Sequence, residues 1–289
     1  MRALPRLKRL VGFAILGLFF CPLAHAQLAE GGARALALGR AGTALEGEVW
    51  GEFNPATWAT LERNTADVFA SQAFGIGELR VVALAVAAPT RYATFAANAR
   101  TYGFANYRET RIGLGAARGL PLSASRRIHV GVSAHLHSIA IDGFGSTTTI
   151  SASLGAQVDV LPNLRAGLHA RNISRIGRSE EADLVSPLSS APALAAGLAY
   201  RASDRAIVVL DAEKDLDFPV AIRAGIEVWA IDILALRGGF TTGLSSDGGA
   251  PARLSGGIGV RSGMIRADIT AEYHETLGLT PSVSIGVEF

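Results

Sequence analysis

The sequence predicts an all-β fold, a transmembrane antiparallel β-barrel of about 14 strands that is preceded by a short N-terminal segment. The last residues alternate without a break, with Val283, Ile285, Val287 and the terminal Phe289 on one face and polar or small residues on the other. This period of two is typical of a strand with one face in lipid and one in a polar interior. The mean hydropathy is +0.30, yet no stretch of roughly 20 apolar residues is present to form a spanning helix.

The N-terminus has the three parts of a secretory signal. Four basic residues precede an apolar run from Leu10 to Phe20, and Ala24-His25-Ala26 follows as a cleavage motif before Gln27. We therefore predict a cleaved signal peptide over residues 1–26. Its removal takes four of the 27 Lys and Arg residues and leaves 23, against 25 Asp and Glu. No basic surface for nucleic acid remains, and we predict no nucleic-acid partner.

Residues 27–64 lack strand alternation. They are rich in Gly and Ala up to Ala44 and then contain Trp50, Phe53 and the triplet Asn54-Pro55-Ala56. A segment of this size cannot bury a core of its own. We therefore predict a compact hatch or plug with short helical turns, lying either inside the barrel or against its periplasmic mouth.

From residue 65 to 289 the chain reads as fourteen short alternating runs separated by Gly, Pro, Asn, Asp and Ser. The clearest is 127–141, where Ile128, Val130 and Val132 alternate with His129 and Gly131. The weakest is the run 77–88, because residues 81–88 are continuously apolar and a buried helix would give the same pattern. We interpret it as a strand because Pro89-Thr90 follows at once. Twelve strands remain an alternative to fourteen.

The connections alternate in length. Most of those after even-numbered runs are tight, as at Pro89-Thr90 and Ser262-Gly263, whereas 173–192 and 242–251, after odd-numbered runs, are long and polar. Short periplasmic turns and longer external loops are typical of outer-membrane barrels, and an even count places both termini on one side. We predict that Phe289 is the insertion signal for the barrel-insertion machinery and that the outer surface meets outer-membrane lipid.

Charged and imidazole side chains recur on one face of the runs, which we predict to be the lumen wall. Opposite charges there can pair across the interior, whereas on the lipid face each would cost about 2–4 kcal/mol at the midplane. A salt-bridged wall and a selectivity filter for an anionic or polar solute are both consistent with the pattern. The predicted wall residues are Arg100, Arg111, His135, His137, Asp159, Arg171, Glu213, Arg223, Glu227, Arg266, Asp268 and Glu272.

The hatch supplies the other candidate residues. Asn54, Pro55 and Ala56 form either a gate or a simple turn, because Asn-Pro commonly begins one. Trp50, Phe53 and Trp58 are either apolar plug contacts or the lining of a small ligand pocket.

Catalytic and metal-binding signatures are weak. His135 and His137 can both reach a metal, but a third ligand at a recognisable spacing is missing from the sequence. Phosphate-cradling, nucleophile-elbow and His-Glu-x-x-His motifs are also missing. We predict no enzyme activity, no cofactor and no metal.

The Gly/Ala-rich opening, the Asn54-Pro55-Ala56 triplet and the terminal aromatic resemble the FadL-like outer-membrane proteins, which include long-chain fatty-acid transporters. Ala199-Tyr200-Arg201, the acidic stretch 211–215 and Arg223-Ala224-Gly225 are similar to the PorV/PorQ-type branch, some of whose members belong to the type IX secretion system.

The resemblance implies a fourteen-stranded barrel in the bacterial outer membrane with the N-terminal segment as a hatch. The function it implies is transport or binding of a small hydrophobic molecule through that lumen. The alternative is a non-conducting scaffold or shuttle that binds secretion-system proteins. A soluble secreted β-sandwich is the rival from outside the membrane class. Most outer loops are a few residues long, unlike those of the fatty-acid transporters.

Overall fold

Alternating side chains produce a continuous, closed β-sheet. The computed structural model describes residues 31–123, 126–176, 192–215, 219–244 and 250–289, and for 174–176 and 250–251 it describes the backbone alone. The described residues form fourteen strands: β1 Thr65–Gln72, β2 Arg80–Pro89, β3 Thr94–Phe104, β4 Tyr107–Pro121, β5 Arg127–Ile141, β6 Gly145–Leu161, β7 Leu164–Ile176, β8 Ala193–Ser203, β9 Ala206–Asp215, β10 Val220–Ile231, β11 Leu234–Leu244, β12 Ala250–Ser262, β13 Ile265–His274 and β14 Gly278–Glu288.

The strands close into a barrel in sequence order. Each pairs antiparallel with its neighbours, and β1 returns to β14 with Thr65 opposite Glu288. The predicted fold class and the count of fourteen are confirmed. Closure leaves no sheet edge, so every strand has a hydrogen-bonding neighbour on both sides.

The outer surface is apolar along the strands. Leu114, Leu168, Leu194 and Ile269 are each 63–65% exposed, while the residues next to them face inward. So much exposed apolar surface would drive a water-soluble protein to aggregate, whereas hydrocarbon accommodates it. Exposed aromatic rings such as Tyr200 and Phe289 lie near the end that carries the termini, and Phe104 and Tyr273 lie near the other.

The two ends of the barrel differ. The end with the termini has tight turns such as 162–163, 204–205 and 263–264. The other end has connections such as 73–79, which contains two short 3₁₀ turns, Ala73–Gly75 and Gly77–Leu79. The central parts of the predicted long loops, 177–191 and 245–249, lie outside the described residues. β14 ends at Glu288, and the backbone N–H of Phe289 donates to the carbonyl of Asn64 at 2.9 Å.

Residues 31–60 fill the lumen. They contain a short helix α1, Ala33–Ala37, and a 3₁₀ helix, Pro55–Thr60, and most of them are fully buried. Helix α1 packs against β11–β14, and the 3₁₀ helix packs against β3–β6. Of the two locations that the sequence left open, the interior is the one observed; we call residues 31–64 the hatch.

The hatch explains the anomalous second run. Inner-facing Val81, Ala83, Ala85 and Ala87 belong to the apolar cluster that surrounds the hatch, and Val82 and Leu84 point outward. Strand β2 is therefore apolar on both faces because one lies on the apolar outer surface of the barrel and the other meets the hatch.

No helix among the described residues is both long and apolar enough to cross a membrane.

Candidate functional site: the hatch and its seat

The barrel wall has a belt of glycines where it meets the hatch. At Gly131, Gly167, Gly225 and Gly239, a side-chain carbon would lie closer than 3.0 Å to hatch backbone atoms. At four further glycines, a side-chain carbon would lie closer than 3.0 Å to hatch side-chain atoms: Gly115, Gly155, Gly197 and Gly257. Since any side chain there would collide with the hatch, the wall fits this segment backbone to backbone.

Asn54 joins the hatch to the wall. Its side-chain amide donates to the carbonyls of Thr43 at 2.7 Å and of Ala156 and Leu168 at 3.2 Å, and its Oδ1 accepts from the Ala56 N–H at 2.9 Å. The Asn-Pro-Ala triplet thus both caps the 3₁₀ helix and anchors it to β6 and β7.

The predicted aromatic residues lie in the packed part of the hatch. Trp58 is 1% exposed and donates from Nε1 to the Val49 carbonyl at 2.7 Å. Trp50 is 2% exposed and meets Phe69 of β1 edge to face, with ring centroids 5.9 Å apart. Phe53 is half-buried over Gly42. A ligand would contact the two tryptophans only after the hatch moves.

This aromatic side of the hatch faces one apolar sector of the wall, on β1–β4. The inner side chains of that sector form a cluster with Trp50, Trp58, Val49 and Leu36 of the hatch. We call them the apolar sector: Phe69, Val81, Ala83, Ala85, Ala87, Ala96 and Ala117.

Charges hold the hatch to another part of the wall, which runs from β10 to β13 and meets the apolar sector at β1. Arg34 binds Glu227 through Nε at 2.8 Å and through Nη2 at 2.9 Å, and Glu48 at 2.8 Å. Burial disfavours its charge, but Glu227 and Glu48 outweigh burial and hold the pKa of Arg34 above its usual value.

The pairing continues along the wall beyond Arg34. Arg237 binds Glu227 at 2.6 Å and Asp268 at 2.7 Å, and Arg266 binds Asp67 at 2.9 Å and lies 3.5 Å from Asp268. All these side chains are at most 14% exposed. We call this series the ionic chain: Glu48, Arg34, Glu227, Arg237, Asp268, Arg266 and Asp67.

Two glycines allow the ionic chain to cross intervening strands. Gly259 of β12 lies between Arg237 and Asp268, and a side-chain carbon there would lie 2.5 Å from atoms of both. Gly286 of β14 lies between β13 and Asp67 of β1. The ionic chain therefore bridges the seam between the first and last strands, and it also holds the hatch.

Further polar contacts fix the same side of the hatch. Arg40 binds Glu272 at 2.9 Å, and the Thr43 N–H donates to Asp211 at 2.9 Å. Glu46 binds Arg165 at 2.9 Å and also contacts Arg201.

The residues predicted to line the lumen all lie on inward-facing strand positions. Arg223 pairs with Glu213 at 2.7 Å and Arg171 contacts the same carboxylate at 3.2 Å. Arg165 pairs with Asp159 at 2.7 Å. Arg100 and Arg111 are buried on β3 and β4. The wall therefore has the paired charges of a salt-bridged interior.

The predicted histidines take part in hydrogen bonds. His137 Nε2 lies 3.2 Å from Glu109, and His135 Nε2 lies 2.9 Å from the Ser133 hydroxyl. Within the described ranges, no three His, Cys, Asp or Glu residues are placed to hold a metal ion.

A cavity of about 770 Å³ opens at the end with the termini. Its lining includes Arg34, Glu227, Arg237, Arg266 and Asp268, so it leads from the mouth to the ionic chain. This mouth is polar, unlike the apolar sector on the other side of the hatch.

Sequence reasoning missed Arg34 and Glu48 and the role of the glycines. The inner-face glycines at mid-strand were the available signal, since glycine weakens a strand unless another backbone approaches closely.

Together these features define a class: a closed fourteen-stranded barrel whose lumen is filled by its own N-terminal segment. Solved structures share this fold. The monoaromatic hydrocarbon channel CymD matches with a TM-score of 0.67 at 13% identity, covering 91% of this chain and 98% of CymD. The Ralstonia pickettii toluene transporter TbuX matches at 0.64 and 12%, covering 91% and 99%.

A Pseudomonas aeruginosa FadL homologue also matches, with a TM-score of 0.58 at 11% identity, covering 91% of this chain and 99% of the homologue. At these identities the likeness concerns the fold. No family model matches the sequence, and no curated protein does.

Proposed function

We propose that this chain is an outer-membrane barrel that passes small hydrophobic molecules through a hatch-gated lumen. The shared fold with hydrocarbon and toluene transporters supports this assignment. The predicted signal peptide over residues 1–26 and the apolar outer face of the strands support delivery to the outer membrane.

The observation that carries the proposal is the difference between the two sides of the hatch. When a hydrophobic ligand displaces the hatch from the apolar sector, the ligand covers the apolar surface that the hatch had covered. Little apolar surface is therefore exposed to water by the exchange. On the other side, removing one partner of a buried ion pair costs about 3–5 kcal/mol. An apolar ligand therefore separates the hatch from the apolar sector while the ionic chain keeps the hatch attached.

The wall itself remains closed in this mechanism. Every strand is paired on both sides, and opening a ladder in hydrocarbon would leave backbone groups without partners at several kcal/mol each. Gating is thus assigned to the hatch, with Trp50 and Trp58 as the groups that the ligand meets first when it separates.

Uptake in intact cells tests the proposal. Cells expressing the protein should accumulate the apolar dye N-phenyl-1-naphthylamine faster than cells with empty vector, with no faster entry of the anionic β-lactam nitrocefin. Trp58→Ala should increase dye uptake, because it removes apolar contact that keeps the hatch on the apolar sector.

Trp229→Ala is the matched control. The guanidinium carbon of Arg261 lies 5.5 Å from the centroid of the Trp229 ring. Both residues line the mouth that carries the termini, away from the apolar sector. It should leave dye uptake unchanged. Dye uptake equal to the vector in both the unmodified protein and Trp58→Ala would contradict transport, and nitrocefin entry through the unmodified protein would indicate a polar pore.

The second candidate is the non-conducting scaffold that binds secretion-system proteins. The specific observation in its favour is that the glycine belt, the Arg34–Glu227 pair and the Arg40–Glu272 pair hold the hatch on several strands at once. Stoichiometric co-purification of secretion components, with no dye uptake, would favour this candidate.

A further inference from the structure

We propose that the outer surface of β2–β6, at the end opposite the termini, binds a phosphorylated glycolipid of the outer leaflet. The proposal rests on the outer-membrane location proposed above, and it concerns the lipid face of the barrel rather than its lumen.

The distribution of charge between the two faces is the first observation. In the described parts of the strands, every Asp and Glu occupies an inward-facing position. The outward-facing charged residues there are Arg80, Arg108, Arg118 and Lys214, all of them cationic. An outer face with cations alone complements an anionic lipid.

Three of these four cations lie at one end. Arg80 begins β2, Arg108 is the second residue of β4, and Lys214 is next to the last residue of β9, so all three are opposite the termini. Within the described residues, neither the Arg80 nor the Arg108 side chain makes a hydrogen bond or ion pair. Both are available to an external ligand.

Strand register brings these two arginines together. Gly103 of β3 pairs with Arg108, and Val81 pairs with Tyr102, so Arg80 and Arg108 flank Gly103 in one cross-strand row. Their Cα atoms are then about 10 Å apart, at roughly 4.8 Å per strand, and side chains of this length can converge on one phosphate.

Only glycine fits between them. Gly103 has φ of 110°, and a side-chain carbon there would collide with the carbonyl oxygen of Tyr107. Gly103 therefore places no side chain between the two arginines in this row.

The next outward-facing row supplies hydroxyl groups. Thr101 pairs with Thr110, Thr110 with Ser138, and Ser138 with Thr148, so four adjacent strands, β3 to β6, present a hydroxyl in one row. The Thr148 hydroxyl donates to Ser138 at 3.3 Å. A row of hydroxyl groups next to two arginines, on the side toward the middle of the strands, suits a headgroup that carries both sugar hydroxyls and phosphate.

The row after that is apolar throughout. Leu84, Ala99, Ile112, Leu136 and Ile150 pair in sequence across β2–β6. The surface thus passes in three rows from cations to hydroxyls to hydrocarbon, which is the order of phosphate, sugar and acyl chain in a glycolipid.

The surroundings of Arg118 provide the contrast. This arginine faces outward near the other end of β4, and its outward neighbours Ala116, Val130, Leu120 and Ile128 are apolar. It lacks both a paired cation and a hydroxyl row, which makes it the matched control.

Lipid binding to the purified, folded barrel tests the inference. Lipid A vesicles should raise the temperature at which heat-modifiable migration is lost, and phosphatidylglycerol vesicles should raise it less. The double variant Arg80→Gln, Arg108→Gln should bind lipid A about 30-fold more weakly, about five-fold for each arginine. Arg118→Gln should bind lipid A as the unmodified protein does.

A second variant separates sugar recognition from charge. Thr110→Val with Thr148→Val should weaken lipid A binding while leaving phosphatidylglycerol binding unchanged. Equal stabilisation by the two lipids, or unchanged lipid A binding in the double arginine variant, would overturn the proposal. Absence of heat-modifiable migration in every variant would instead contradict the membrane assignment.

Discussion

Replacing Gly239 with leucine is expected to unseat the hatch and open the lumen. A side-chain carbon at this position would overlap the Gly39 nitrogen and the Leu38 carbonyl carbon, which are hatch backbone atoms with no rotamer by which to move aside. The cost should be at or above the upper end of the about 1–3 kcal/mol typical of overpacking, because strand and hatch cannot both keep their positions. In planar bilayers, the unmodified protein should show no steady conductance, and Gly239→Leu should conduct like a deletion of residues 31–64.

The neighbouring residue supplies the control. Gly238 faces outward on the same strand, and nothing lies within 4 Å of where its side chain would begin. Gly238→Leu should therefore remain non-conducting. Equal conductance of the two leucine variants would refute the backbone-to-backbone seat.

Truncation of Arg237 is expected to give the largest loss of stability in the ionic chain. Its guanidinium joins Glu227 to Asp268, and all three side chains are at most 4% exposed. Arg237→Met would leave both carboxylates buried with one cation fewer, at a cost of about 3–5 kcal/mol. Urea-induced unfolding in lipid vesicles measures this loss. Arg237→Lys should recover part of it, because an ammonium keeps the charge without the paired geometry.

An exposed ion pair provides the comparison. Arg205 and Asp232 are 2.7 Å apart, with side chains 60% and 86% exposed, at the mouth that carries the termini. Arg205→Met should change stability by about 0–1 kcal/mol, since solvent screens such a pair. Equal losses for Arg205→Met and Arg237→Met would mean that the ionic chain does not stabilise the seat of the hatch.

The strands were predictable from the sequence because membrane barrels repeat one local rule. Along β5, Val132 and Leu136 face outward and Ser133 and His135 face inward, as alternation alone requires. The same rule is ambiguous at Val81–Ala88, where both faces are apolar. The missing information there was the position of the hatch. The hatch contacts nearly all the strands, so the local sequence of one strand does not show that its inner face meets the hatch.

The geometry of the hatch was not predictable for the same reason. Arg34 and Glu227 are 193 positions apart, and neither carries a motif that identifies the other. Glycine at mid-strand marked Gly131 and Gly155 as inner-face positions but did not indicate which atoms approach them. Pairings of this kind depend on how an irregular segment folds within a closed wall, which a period of two does not encode.

The contacts that stabilise the barrel and the contacts proposed to bind a ligand lie on different sides of the hatch. The ionic chain connects β10, β11, β13 and β1 and reinforces the seam where the first and last strands meet. The apolar sector carries small side chains, five of them alanine, against two hatch tryptophans. Function is expected on the side whose contacts a ligand can replace.

The most direct test of the account is the accessibility of spin labels at positions 132 to 136 of β5 in lipid bilayers. Labels at 132, 134 and 136 should collide with oxygen dissolved in the hydrocarbon, and labels at 133 and 135 should be shielded from both oxygen and a water-soluble nickel reagent. Deleting residues 31–64 should expose 133 and 135 to the nickel reagent. Uniform accessibility along the strand, or nickel access to 133 and 135 in the intact chain, would contradict a lipid-embedded barrel filled by its own hatch.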